Sequence, residues 1–327
     1  MSAKSRINLI GWARFFLPPV LLVFLAWHFY RSFKSIESPE IASLVLSVPA
    51  WSWGSCAALY LAGILCSAMF WRILLVACGY TAPLSRSCQA FLVSQMGKYV
   101  PGKGLALLMR AAMLRDYGVP MTIGVATGMI EVLWTMAVGA LLALAIALCL
   151  EFFGLPGLST DRWLIPKLGF LAVVTLVPAW PSWSIRLARA SARRMGFDTG
   201  MEQFRLPAGR LAFGALLMVA GWILLSLSLV VLVEGLAPCA GLKILAPSTA
   251  WVPLANVGGF VASTPGGLGV REFLIQQSLT PQLGSEQALV VSLLLRLVWT
   301  VAEVASALVM WVWWTGKPAS TTSGAPE

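Results

Sequence analysis

Charge is scarce in this chain. Asp, Glu, Lys and Arg together make up 11% of 327 residues, against about 25% in a soluble globular domain. The same residues are 59% hydrophobic, more apolar surface than a soluble core of this length can hide. A soluble globular enzyme, a disordered chain and a coiled coil are therefore excluded, and the composition reads as a polytopic membrane protein. Histidine is nearly absent: the single one, His28, argues against a His-based catalytic or metal centre. The six cysteines (Cys56, Cys66, Cys78, Cys88, Cys149 and Cys239) stand singly with no CxxC pair. They read as small apolar packing residues rather than a disulfide frame or a metal site. No polar block is long enough for a soluble domain, the longest being about Pro181 to Arg210. One integral membrane domain over 1–327 is expected.

What charge there is has a sign, +10 net at neutral pH. The basic residues are spread between apolar runs rather than massed, which points to membrane topology and anionic lipid, not nucleic acid. Six runs read as transmembrane helices: Phe15 to Tyr30, Trp51 to Cys78, Met121 to Leu150, Leu164 to Trp180, Leu211 to Val233 and Ser285 to Trp314. Placing the amino terminus in the cytoplasm puts eleven Lys and Arg on cytoplasmic flanks and four on outer flanks, leaving eight at depth or in the intervening segments. That asymmetry places both termini inside. The basic stretch Arg186 to Arg210 reads as an amphipathic helix on the inner leaflet.

Two further apolar intervals are interrupted. Leu84 to Tyr117 is broken at Val100-Pro101-Gly102-Lys103-Gly104, and Ile244 to Leu279 at Thr264-Pro265-Gly266-Gly267-Leu268-Gly269. The pieces on either side run roughly 13 to 18 residues, short of the ~20 a crossing needs. Each interval is expected to be a re-entrant helical hairpin, because proline removes a backbone donor and glycine permits unusual angles. With its flanking spans, each hairpin makes a half of the same plan in opposite orientation, an inverted repeat of the kind found in secondary transporters. The chain then divides into a first span and linker (1–50), a first half (51–150), a connecting span and basic segment (151–210), a second half (211–316) and a tail (317–327).

The first break almost spells a phosphate-binding loop, but Gly104 stands where a hydroxyl would be needed for magnesium and no strand precedes it. What remains is Lys98 and Lys103 beside a glycine-rich break, either an anion cradle or a turn with solvated lysines. In the second break Thr264 can cap the following helix, with Pro265 in its first turn, while Gly266, Gly267 and Gly269 leave backbone N–H groups open to an anion. Arg271 and Glu272 follow inside an apolar helix, where ionisable groups cost about 2.5–3.5 kcal/mol each and face a cavity or one another. Arg296 and Glu303, seven apart, share one face of the last span. Glu131 lies inside the third span with Arg72 and Arg110 as candidate partners. The candidate headgroup-binding set is thus Lys98, Lys103, Arg110, Gly266, Gly267, Gly269, Arg271 and Arg296. Arg72, Glu131, Glu272 and Glu303 form a charge network, and no catalytic residue, metal or cofactor is expected. Gly124 and Gly128 read as a close-packing surface on the third span.

Met96-Gly97-Lys98-Tyr99-Val100-Pro101-Gly102-Lys103 and Thr264 through Glu272 resemble the two hallmark segments of the flippase-like membrane domain of lysylphosphatidylglycerol synthases. The resemblance covers nearly the whole chain. It implies a part in moving a modified phospholipid between leaflets of the cell membrane; the net-positive interior makes an anionic phospholipid or a polyprenyl-phosphate-type lipid the expected cargo. In the full synthases a soluble aminoacyl transferase domain follows; here the sequence ends at Glu327, so aminoacylation by this chain alone is not expected. A separate lipid-modifying enzyme is then an expected partner. The rival readings are an integral-membrane lipid- or sugar-transferring enzyme, against which the lack of a DxD pair argues, and a non-transporting subunit of an envelope-lipid biosynthesis complex.

Overall fold

A computed structural model describes residues 45–99, 104–154, 164–180, 183, 186, 190, 206–238, 240–262, 267 and 269–315. Nine α-helices account for most of them: α1 Ala50–Ala77, α2 Leu84–Ser94, α3 Leu105–Met113, α4 Met121–Phe152, α5 Leu164–Ala179, α6 Ala208–Leu236, α7 Gly241–Val261, α8 Val270–Leu283 and α9 Ser285–Thr315. The fold is an all-α polytopic membrane fold. A proline immediately precedes α1, α2, α4 and α6 (Pro49, Pro83, Pro120 and Pro207). Its fixed φ starts a helix and its missing N–H falls where no intrahelical partner exists.

Helices α1, α4, α6, α9 and the part of α7 from Lys243 onward are long and apolar enough to cross a bilayer, five among the described residues. Four of these coincide with expected spans, and α5 matches the short expected one at 16 residues. The run Phe15 to Tyr30 lies outside the described residues, as does most of the basic stretch Arg186 to Arg210. The interrupted intervals differ from each other. Helices α2 and α3 have 11 and 9 residues, about 17 and 14 Å at 1.5 Å per residue, and pack against one another around a 3₁₀ turn at Gln95–Tyr99. In the second interval the first limb, α7, is 21 residues long and carries Pro247 and Pro253 within it. It is longer than the sequence pieces suggested because it starts at Gly241, before the expected Ile244; in an apolar setting neighbouring helices can compensate for the backbone bonds its prolines lack.

The two halves, α1–α4 and α6–α9, pack by one plan. Within each, the first helix touches the second, the second the third, and the third and first the fourth. Across halves, α2 lies on α9 as α7 lies on α4, and α1 touches α9 as α6 touches α4. The largest interface is α1 on α6. These run antiparallel: Ser52 Oγ donates to Val231 O at 2.8 Å at one end, and Gly63 faces Gly221 near the middle, where a Cβ on Gly221 would stand 3.0 Å from Gly63 O. Antiparallel first helices are what an inverted repeat requires. Each half also turns into its last helix through a left-handed glycine, Gly118 at φ +75° and Gly284 at φ +78°. Gly124 and Gly128 let α4 approach α3 closely, since a Cβ there would meet Ala111 at 2.6 Å and Leu107 at 2.8 Å.

Candidate functional site

Because α2 of the first half lies on α9 of the second, the turn that ends α2 delivers Lys98 and Tyr99 to Glu303. Glu303 is 1% exposed. Its Oε2 accepts from the Tyr99 hydroxyl at 2.7 Å, and its Oε1 accepts from both Lys98 Nζ and the Tyr60 hydroxyl. The Tyr99 hydroxyl also lies 3.3 Å from that of Thr300. Tyr60 is fixed by stacking on Trp299 at 4.6 Å, whose indole N–H donates to Ser228 Oγ at 3.1 Å. Three helical elements therefore meet on one carboxylate.

Beside it lies an excess of positive charge. Arg296 is buried one face along α9, with its guanidinium 5.9 Å from the centre of the Tyr99 ring. Its closest acid is Glu272, at 3.7 Å between Arg296 Nε and Glu272 Oε1, too far for a hydrogen bond. Among the described residues, Arg296 Nε and Nη2, Arg271 Nε and Glu272 Oε1 are buried atoms with no hydrogen-bond partner. Arg271 and Arg296 line one pocket together with Glu272. Counting Lys98, Arg271 and Arg296 against Glu272 and Glu303, the cluster carries one more positive than negative charge. Buried like charges with free donors are unstable alone and favour an anion between them.

Glycine makes room for this arrangement. A Cβ on Gly259 would lie 2.8 Å from Arg271 Cγ, and one on Gly267, at φ +76°, would lie 2.6 Å from Arg271 Nε. Glycines at these two places let the Arg271 side chain run between α7 and the break. The expectation that the glycines present open N–H groups to an anion is corrected for Gly269, whose N–H donates to Glu272 Oε2 at 2.7 Å. The helix begins at Val270, with Gly269 at its cap in a positive-φ conformation, φ +86°. Lys103, Thr264, Pro265 and Gly266 lie outside the described residues.

The other half holds a second charged centre. Arg110 on α3 pairs with Glu131 on α4 at 2.8 Å, both about 4% exposed. The Arg110 guanidinium sits 3.8 Å over the Phe91 ring and 5.0 Å from that of Trp71, and its Nε meets Ser94 Oγ at 3.3 Å. Thr135 occupies Glu131 Oε1 at 3.0 Å. Arg110 is thus enclosed by its own half and separate from the Arg271–Arg296 cluster. Arg72, the alternative partner, points elsewhere: near the end of α1, its Nε donates to Ala82 O at 3.3 Å and ties down the loop into α2.

Sequence reasoning assembled Lys98, Arg271, Glu272, Arg296 and Glu303 but not Tyr60, Tyr99 and Thr300. A signal existed. The chain has only five tyrosines, and a tyrosine in an apolar span seeks a partner for its hydroxyl. No curated relative matches the chain. The family model of the lysylphosphatidylglycerol synthase TM region, however, matches residues 11–306, and it is to this family of membrane domains that the chain belongs.

Proposed function

We propose that this protein moves an anionic lipid, a phospholipid or a polyprenyl-phosphate-type lipid, between the leaflets of the cell membrane, with both termini in the cytoplasm. The observation that carries the reading is the cluster of buried Arg296 with half-buried Lys98 and Arg271, in excess over its acids and with guanidinium donors unspent among the described residues. A phosphate is the natural complement to paired guanidinium groups. The cluster sits where the two halves meet, and in transporters built from repeats that is where a substrate binds. In this reading the two interrupted intervals act as re-entrant hairpins in opposite orientation, and the lipid tails stay in the bilayer as the headgroup passes.

The test is translocation of labelled anionic lipid in liposomes containing the purified protein. Arg271→Ala and Arg296→Ala are expected to abolish translocation while the amount of folded protein holds. Normal rates in both variants would sink the reading. A new covalent lipid product in the same liposomes would instead identify a transferring enzyme.

A further inference from the structure

A half-open pocket of about 20 Å³ lies between α7, α8 and α9, with Asn256, Arg271, Glu272 and Arg296 in its wall. It holds little more than one water-sized particle, for which about 10–15 Å³ suffices. The wall is unusually rich in unused polarity. Among the described residues, Arg296, 5% exposed, leaves Nε and Nη2 without a hydrogen-bond partner, Arg271 leaves Nε, and Glu272 leaves the acceptor Oε1. The Asn256 amide spends one hydrogen on Val252 O at 2.9 Å and retains the other. Trp299, also in the wall, has no donor to offer, because its indole N–H is committed to Ser228. The Ser292 hydroxyl likewise donates to Leu289 O at 2.7 Å.

The charges decide what suits this space. Lys98 and Glu303 offset each other in direct contact. Around the cavity itself stand two guanidinium groups and one carboxylate, Glu272, whose Oε2 is held by the Gly269 N–H. One positive charge is left over. A water would supply hydrogen bonds but leave that charge uncompensated in a site of low dielectric. A phosphate, with four oxygens, is too large unless the walls part. We propose that the cavity binds one monovalent inorganic anion of the size of chloride or bromide, held by the Arg271 and Arg296 guanidinium N–H groups and the free amide hydrogen of Asn256. Glu272 lowers the charge of the site so that a single negative charge neutralises it. The proposal stands whether or not a lipid moves, because it concerns binding to the resting protein.

The purified full chain in detergent is melted in sodium bromide and in sodium gluconate at equal ionic strength, since gluconate is too large to enter. Bromide is expected to raise the melting temperature by roughly 2–4 °C at saturation, with a saturable dose dependence. Arg296→Gln removes the leftover charge and should abolish the shift. Ala255→Val, which fills the wall with an apolar group and changes no charge, should abolish it too and serves if Arg296→Gln does not fold. Crystals grown in bromide should show its anomalous scattering between Arg271 and Arg296. Equal melting in the two salts, which would mean that water fills the cavity, overturns the proposal. So does a shift that survives Ala255→Val.

Discussion

Each half of the molecule joins the second limb of its interrupted interval to its last helix through one Arg–Glu contact, and the signs are exchanged between halves. In the first half the cation is on the limb, Arg110, and the acid on the long helix, Glu131, 2.8 Å apart. In the second the acid is on the limb, Glu272, and the cation on the helix, Arg296, at 3.7 Å. Among the described residues the first contact is complete: Ser94, Thr135 and the Phe91 ring take up what the pair leaves over. The second is incomplete on both partners, and Arg271 adds a further charge beside it. Equivalent positions in one packing plan have thus become a closed latch and an open site. The difference lies in what surrounds the pair, more than in the pair itself.

The largest expected effect tests the latch. Glu131→Gln leaves Arg110 buried without its counter-charge, a loss of about 3–5 kcal/mol for a buried pair broken on one side. Thermal unfolding in detergent should show it as a large fall in melting temperature. Glu272→Gln breaks the loose contact with Arg296 while its amide oxygen can still accept from the Gly269 N–H; it should cost much less, and equal losses would erase the contrast between the halves. Replacing both members of the latch, Arg110→Met with Glu131→Leu, should recover most of the stability and leave lipid translocation intact. The corresponding double replacement Arg296→Met with Glu272→Leu should fold as well and translocate nothing.

A smaller effect separates backbone strain from crowding at the site. Gly118 and Gly267 have nearly the same φ, +75° and +76°. Alanine at either position meets the left-handed penalty of roughly 1–2 kcal/mol. Only at Gly267 does the new Cβ also run into Arg271, at 2.6 Å from its Nε; nothing lies within 4 Å at Gly118. Both variants should lose similar stability, while only Gly267→Ala loses translocation. If Gly118→Ala loses as much translocation, the glycine at the break has no special part in placing Arg271.

Much of this contrast was legible in the sequence, and the parts that were not have physical reasons. Charged residues inside apolar runs had to be buried, so Arg110, Glu131, Arg271, Glu272, Arg296 and Glu303 declared themselves. The long helices α1, α4, α6 and α9 did so too, by uninterrupted apolar length. Partner choice was not legible. Arg72 and Arg110 were equal candidates for Glu131 until the packing of α3 on α4 brought one of them close. The crossing of α2 onto α9, which carries Lys98 and Tyr99 to Glu303, joins residues about 200 positions apart, and no local pattern encodes it.

The smallest effect compares two hydroxyls, one at each centre. Thr135 lies 3.0 Å from Glu131 Oε1, and Thr300 lies 3.3 Å from the Tyr99 hydroxyl that donates to Glu303. Valine keeps the shape of either threonine and removes one hydrogen-bonding group, a change of about 0.5–1.5 kcal/mol. At Thr135 the lost bond is to Glu131, whose pairing with Arg110 at 2.8 Å remains, so stability falls slightly and the translocation rate should not move. At Thr300 the lost contact loosens Tyr99, and with it the attachment of the α2 turn to α9, the place where the two halves meet. Thr300→Val should therefore change the translocation rate several-fold at a similar small cost in stability. Equal rates for the two valine variants would show that the joint at Glu303 is as static as the latch at Glu131, and movement would have to be sought elsewhere.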